Sequence, residues 1–392
     1  MDTFGKVLTR HNELGPGFDF LRITLAIAVV TFHAFQYTGN PWLQTTPAWM
    51  IEYSVVPMFF ALSGFLVTAS GLRLSLRNFL LNRGLRIVPA LAVEIFVSAL
   101  VIGPAVTTLN LKDYFTNTEF WTYFLNIFGY IHFNLPGVFQ DHVLTFVNGA
   151  LWTVPYEILC YVITSFLIYF RMINDPKKVV VLTLGFLAIG VFFQFSGLLP
   201  HLSLFAAKVV KFIFIKRESQ LLTAFLFGML AYQLRRYIPH SAAIALGAAA
   251  LCVAAAFVFD ASETLKPTTR IVLLPALTYV TVYLGLTVIK LPAFLTKGDY
   301  SYGLYLYHNP LLQIVIGIFP GICLINFYGG VFTVLATLPF AFMLAVLSWH
   351  FIEKPILSLR KKFSFAARIR EIDETAPSWP EDLGQTTLRK AA

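Results

Sequence analysis

The chain has 392 residues, of which 57% are hydrophobic and only 12% charged, roughly half the charged share of a soluble domain. That balance excludes a soluble enzyme and calls for surroundings in which apolar surface is not costly. The formal net charge of +9 invites comparison with nucleic-acid binders, but the positions of the basic residues encode membrane topology instead.

Apolar windows of about twenty residues, the length of a membrane span, fall at 20–38, 50–70, 87–105, 150–170, 179–195, 219–234, 240–259, 270–289, 301–325 and 329–352. No polar stretch between them is long enough for an independent domain. The expected architecture is an all-α polytopic membrane protein with about ten transmembrane helices. Residues 1–19 make a cytoplasmic N-terminal segment, 20–356 the transmembrane domain, and 357–392 a cytoplasmic tail, basic and then acidic and polar, that is expected to be partly disordered. The first window follows Lys6, Arg10 and Asp19 and lacks a small-residue cleavage site, so it is expected to remain as a spanning helix.

Inside that window stand Arg22 and His33. Eleven residues at ~100° and ~1.5 Å each return a helix to within ~20° of its starting direction, ~16 Å further on. Both side chains therefore share one face, and because ionisable groups in a spanning helix are costly, that face is expected to meet a protein interior or a wet cavity. Arg83 and Arg86 sit three apart at the mouth of the third span, on neighbouring parts of one face. Glu52, Glu94, Glu157, His308, His350 and Glu353 lie within or at the ends of later spans. Taken singly, Glu52, Glu94 and His350 read as helix-end or internally satisfied groups.

The connectors 106–149 and 196–219 are longer than connectors need be and are expected to form interfacial helices or lids. Tyr300, Tyr302, Tyr305 and Tyr307 read first as interfacial belt residues, and second as an aromatic platform for a sugar. Cys160, Cys252 and Cys323 are few, odd in number and set in apolar segments, which fits packed thiols rather than disulfides or a metal site.

With the N-terminus cytoplasmic, 21 of the 29 lysines and arginines fall on the inner side. Seven fall outside (Lys112, Lys208, Lys211, Lys216, Arg217, Lys266 and Arg270), and Arg22 is intramembrane. This is a strong positive-inside bias, and it predicts that both termini are cytoplasmic.

The run Phe18-Asp19-Phe20-Leu21-Arg22, followed after ten residues by His33, resembles the first-helix motif of the integral-membrane acyltransferase-3 family. Residues Pro57 to Phe65 resemble its second helix, and Arg83-Gly84-Leu85-Arg86-Ile87-Val88-Pro89 its basic motif. Leu151 to Glu157 is similar to its Leu-Trp-Ser/Thr segment, Ser301-Tyr302-Gly303 to its Ser-Tyr-Gly element, and Phe351 to Pro355 to its closing motif. Each motif alone is weak, but six in order over about residues 18 to 356 are specific. The resemblance implies a bacterial inner-membrane, multi-pass O-acyltransferase. Most simply it would transfer acetyl from cytoplasmic acetyl-CoA to a hydroxyl of a lipid-linked or surface glycan.

Acyl transfer from a thioester needs a base for the hydroxyl proton, a hold on the anionic donor, and donors for charge developing on the carbonyl oxygen. His33, with an unperturbed pKa of ~6.5, can be neutral at neutral pH and serve as base. Arg22 keeps its charge and suits carboxylate or phosphate. Its alternatives are gripping the donor, polarising the carbonyl, or fixing Asp19 or Glu157. Coenzyme A is polyanionic and does not cross the bilayer, so Arg83 and Arg86 make the expected entrance. Glu157 and His308 orient His33, bind sugar hydroxyls, or satisfy one another. The expected site therefore has His33, Arg22 and Glu157 as catalytic residues and Arg83 and Arg86 for acetyl-CoA. Asp19, His308 and Tyr305 serve the acceptor, and no metal is expected. The competing class is a transporter or flippase for a lipid-linked sugar or acyl donor, gated by buried charges. Such proteins usually show two related halves, and the Arg-then-His spacing has no second copy.

Overall fold

Several helix starts are dictated by the residue in front of them. Thr3, Ser75, Asp175 and Ser241 each accept a backbone N–H two or three residues on, satisfying a donor that the first turn leaves free. They precede α1 (Phe4–Arg10), α4 (Leu76–Val97), α6 (Pro176–Phe195) and α8 (Ala242–Val258). Between and beyond them run α2 (Phe18–Tyr37), α3 (Trp49–Arg73), α5 (Val154–Tyr169), α7 (Gln220–Gln233), α9 (Pro267–Leu286), α10 (Ser301–Ile318), α11 (Asn326–Ser348) and α12 (Lys354–Phe363). The computed structural model describes residues 2–259, 267–290, 292 and 294–363, so most of the expected tail lies outside the described residues. Among these, the extended pairing is a single bridge between Thr3 and Pro239.

Among the described residues, six helices are long and apolar enough to cross a membrane: Phe18–Tyr37, Trp49–Arg73, Leu76–Val106, Gly149–Tyr169, Pro176–Phe195 and Asn326–Leu359. The third and last of these run through π turns, at Ser98–Ile102 and Trp349–Glu353. Three further apolar helices, Gln220–Gln233, Ala242–Val258 and Leu273–Leu286, are shorter. Helices α6 and α8 leave Val181, Leu184, Phe192, Leu246, Val253 and Phe257 exposed, the surface a lipid-facing helix presents.

Helices α3 and α7 pack backbone to backbone. A Cβ at Gly64 would meet the carbonyl of Phe225, and one at Gly228 would meet the carbonyl of Ala61. Only glycine allows this mutual approach, the usual basis of close helix contact in lipid.

Helix α10 lies at the centre, packed on α2 and α11, with His308, Asn309 and Gln313 fully buried. Pro310 removes the N–H that would bond the Leu306 carbonyl four residues back. The buried Asn148 replaces it, its Nδ2 donating to Leu306 O at 2.9 Å while its Oδ1 accepts from Ala150 N at 3.1 Å. Gln313 holds the long 106–149 segment against α10, donating to the carbonyls of Leu144 (2.6 Å) and Phe146 (2.8 Å) and bonding His142 at 2.6 Å. That segment contains two short helices, Leu111–Thr116 and Thr118–Tyr123.

Candidate active site

Two cavities flank the middle of α2 and α3. One, of about 180 Å³, is lined by Arg22, Arg83, Arg86, Glu157, Thr153 and Tyr305. The other, of about 290 Å³, is lined by His33, Tyr37, Trp152, Phe133 and Phe146 among others. Both touch Val56. Arg22 and His33 thus share a helix face as the spacing requires, but they open into separate chambers that meet at one valine. Two of the chamber walls at His33, Phe133 and Phe146, come from the long connector.

Around the arginine cavity, four charged side chains from distant parts of the chain are paired. Asp299 Oδ2 lies 3.1 Å from Arg22 and 2.6 Å from Arg86, and Arg86 also reaches Glu353 at 3.3 Å. The Ser301 hydroxyl donates to Asp299 at 2.6 Å and that of Ser348 to Glu353 at 3.1 Å. Glu353 arrives there because the π turn at the end of α11 carries it inward, where it is 2% exposed. Burial alone would raise the Asp299 carboxyl, but Arg86 and then Arg22, with Ser301, hold it well below the usual carboxylate range. Two guanidiniums and two carboxylates are thus joined in one cluster, with the exposed Asp19 at its edge, 3.7 Å from Arg22.

Arg83 stands apart from it. Among the described residues it makes no ion pair. Its guanidinium lies over the rings of Phe79 and Tyr161 and reaches Ser70 Oγ at 3.4 Å, and its buried Nε lacks a hydrogen-bond partner. Glu157, in the same cavity, accepts from Tyr161 at 2.6 Å. It is not beside His33.

His33 instead meets His308, with His33 Nδ1 2.6 Å from His308 Nε2. His308 Nδ1 is 3.1 Å from the Leu304 carbonyl. With the Asn309 amide, next along α10, assigned so that its oxygen accepts from Ala150 N (2.7 Å) and Gly149 N (3.2 Å), its nitrogen lies 3.1 Å from His308 Nε2 and 3.3 Å from His33 Nδ1. The four tyrosines point into the protein rather than to a belt. Tyr302 donates to the Ile87 carbonyl (3.0 Å), Tyr305 pairs with Thr153 (2.9 Å), and Tyr307 donates to Ser348 (3.3 Å). Asp19 is largely exposed and 3.7 Å from Arg22.

Asp299 and Asn309 escape the sequence reading. Asp299 stands two residues ahead of the Ser-Tyr-Gly element, a position that reads as an ordinary helix-start acid. Asn309, between a histidine and a proline inside an apolar run, was the available signal for a buried polar partner. The three cysteines are buried and unpaired, and among the described residues no group of three His, Cys, Asp or Glu is arranged to hold a metal ion.

The family model described as an acyltransferase domain matches residues 16–349. A protein of Shigella phage Sf6 named O-acetyl transferase is 24% identical over 346 residues, covering 87% of this chain and 96% of that protein. Nodulation protein 10 of Rhizobium leguminosarum bv. viciae is 28% identical over 380 residues, covering 88% and 93%. No solved structure matches the chain.

Proposed function

The chain belongs to the acyltransferase-domain family, and we propose that it is a membrane O-acyltransferase moving acetyl from cytoplasmic acetyl-CoA to a hydroxyl of a lipid-linked or surface glycan in the inner membrane. The name of the phage relative favours acetyl over longer acyl groups. Ten spans with both termini cytoplasmic is the topology that goes with this reading. It puts the arginine cavity on the cytoplasmic side and the histidine cavity on the far side.

The observation that carries the proposal is the meeting, at Val56, of a cavity bordered by an imidazole with a cavity bordered by cations. In the proposed cycle Arg83 holds a phosphate of the donor, as suits a guanidinium with no carboxylate at ion-pair distance among the described residues. Arg22 and Arg86, tied through Asp299 and Glu353, keep the cavity wall in place. The acyl end passes Thr153 and Tyr305 toward Val56. The acceptor occupies the chamber walled by Trp152, Phe133 and Phe146, aromatic faces of the kind that line small-molecule sites. His33 takes the proton as the acceptor O–H breaks and its oxygen bonds the acyl carbon. The C–S bond then breaks, and the thiol leaves with that proton.

The test is incorporation of label from radiolabelled acetyl-CoA into the glycan fraction of membranes bearing the protein. His33→Ala should reduce it by about 10²-fold or more. Full incorporation by His33→Ala would end the assignment of the base, and movement of a lipid-linked sugar without any acylation would favour the transporter class.

A further inference from the structure

A carbonyl oxygen only accepts, so the 3.1 Å contact with Leu304 O requires a hydrogen on His308 Nδ1. A neutral imidazole so protonated presents a lone pair at Nε2. Asn309 faces the same pair of rings. With its oxygen turned to the backbone N–H groups of Gly149 and Ala150, its NH2 lies 3.1 Å from His308 Nε2 and 3.3 Å from His33 Nδ1. The tautomer is set by the Leu304 carbonyl, and the amide donor sits beside the lone pair which that contact places on His308 Nε2.

His33 Nδ1, 2.6 Å from the same atom, must then carry a hydrogen of its own. The two ring planes differ by only 10°, with centroids 4.9 Å apart. Two ring radii and one 2.6 Å bond account for that separation, so the rings lie edge to edge in one plane and the bond is in line. With Nδ1 committed, the lone pair of neutral His33 is on Nε2. That atom has no hydrogen-bond partner among the described residues, and His33 borders the aromatic-walled cavity.

We propose that His308 is a positioning residue that holds His33 in a single tautomer, with Nδ1 protonated and Nε2 bare, so that Nε2 is the atom that receives the acceptor's proton. This rests on the reading of His33 as the base. The arrangement is the base-with-orienter logic of nucleophile activation, with an imidazole where a carboxylate is usual. A neutral orienter suits a span because it adds no second buried charge to desolvate. When the imidazolium forms, its Nδ1–H still points at a lone pair. His33, His308 and Asn309 are 4%, 0% and 0% exposed, so water does not compete for these bonds.

The experiment combines two readouts on the full-length chain. In nanodiscs with 15N-labelled histidine, the His33 signals, assigned by their loss in His33→Ala, should show a protonated Nδ1 and an unprotonated Nε2. His308→Leu should abolish that preference, and His308→Gln, whose amide oxygen can accept the same N–H, should keep it. In membranes given labelled acetyl-CoA, His308→Leu should lower kcat about 10²-fold with KM for acetyl-CoA within about threefold, and His308→Gln should recover roughly tenfold of that loss. A protonated Nε2 in the unsubstituted protein, an unchanged kcat in His308→Leu, or a folded His308→Gln no better than His308→Leu would overturn the proposal. Absence of label incorporation by the unsubstituted protein would instead remove the acyltransferase reading, leaving the tautomer to be judged by the NMR signals alone.

Discussion

Asn148→Ala should destabilise the protein through one identifiable atom, the Leu306 carbonyl that Pro310 leaves without its helical donor. A buried acceptor stripped of its partner costs about 1–3 kcal/mol. The other bond lost, from Ala150 N to Asn148 Oδ1, matters less because Asn309 oxygen also accepts from Ala150 N, at 2.7 Å. Replacing Pro310 by alanine restores a backbone N–H in register with Leu306, so in that background the Asn148→Ala cost should fall to about 1 kcal/mol or less. The double-mutant cycle should then show a coupling of about 1–2 kcal/mol. Equilibrium unfolding of the four proteins in mixed detergent micelles measures it. Additivity within about 0.5 kcal/mol would refute the claim that the asparagine stands in for the missing helical bond.

Asp299 sets a pH dependence of defined sign. Its carboxyl is held below its ordinary value in the folded chain, so its stabilisation is fully present above the ordinary value of about 3.9 and is lost as pH falls below it. Melting temperature should therefore drop on acidification below about pH 4, and Asp299→Asn should flatten that drop. Gly64→Ala drives a methyl into the Phe225 carbonyl and should cost about 3 kcal/mol or more, seen as loss of the monodisperse peak on size exclusion. A variant that purifies like the parent would exclude backbone contact between α3 and α7. Arg83→Ala should raise KM for acetyl-CoA about tenfold or more with kcat nearly kept, whereas a fall in kcat alone would argue against a donor-binding role.

The helical class and the pairing of Arg22 with His33 on one face were readable because helix period and membrane cost act on neighbouring residues. The partners were not. Asp299 is 277 residues from Arg22 along the chain, and nothing local distinguishes it from an exposed acid at a helix start. The lids were half legible: the excess length of 106–149 announced a structured connector, but only the fold shows Gln313 drawing Leu144 and Phe146 down to wall the histidine chamber. Glu157 illustrates the converse. Its place in a motif inside a span suggested, among other roles, a partner for His33, and the geometry sets it with Tyr161 in the other cavity. A motif fixes which residues occur together in order, while the helix packing decides which of them touch.

The two cavities handle charge in different ways, and the difference follows from where each charge is needed. Buried guanidiniums and carboxylates are tolerable when they compensate one another at hydrogen-bond distance, as Arg22, Arg86, Asp299 and Glu353 do. That cluster links α2, α4, the start of α10 and the end of α11, so it fastens four segments at one point, with each of its guanidiniums already paired to a carboxylate. The His33–His308 pair reaches the same end without ions, each neutral ring giving the other the hydrogen or lone pair it lacks. Arg83 is the exception, a permanent cation held by ring faces and one hydroxyl, with a buried Nε unbonded. An anion entering that cavity would meet a guanidinium that, among the described residues, has no carboxylate at ion-pair distance, with Glu157 further off in the same cavity. Charge that holds the helices together and charge available to a ligand are therefore carried by different arginines, although Arg83 and Arg86 are only three residues apart on the same helix.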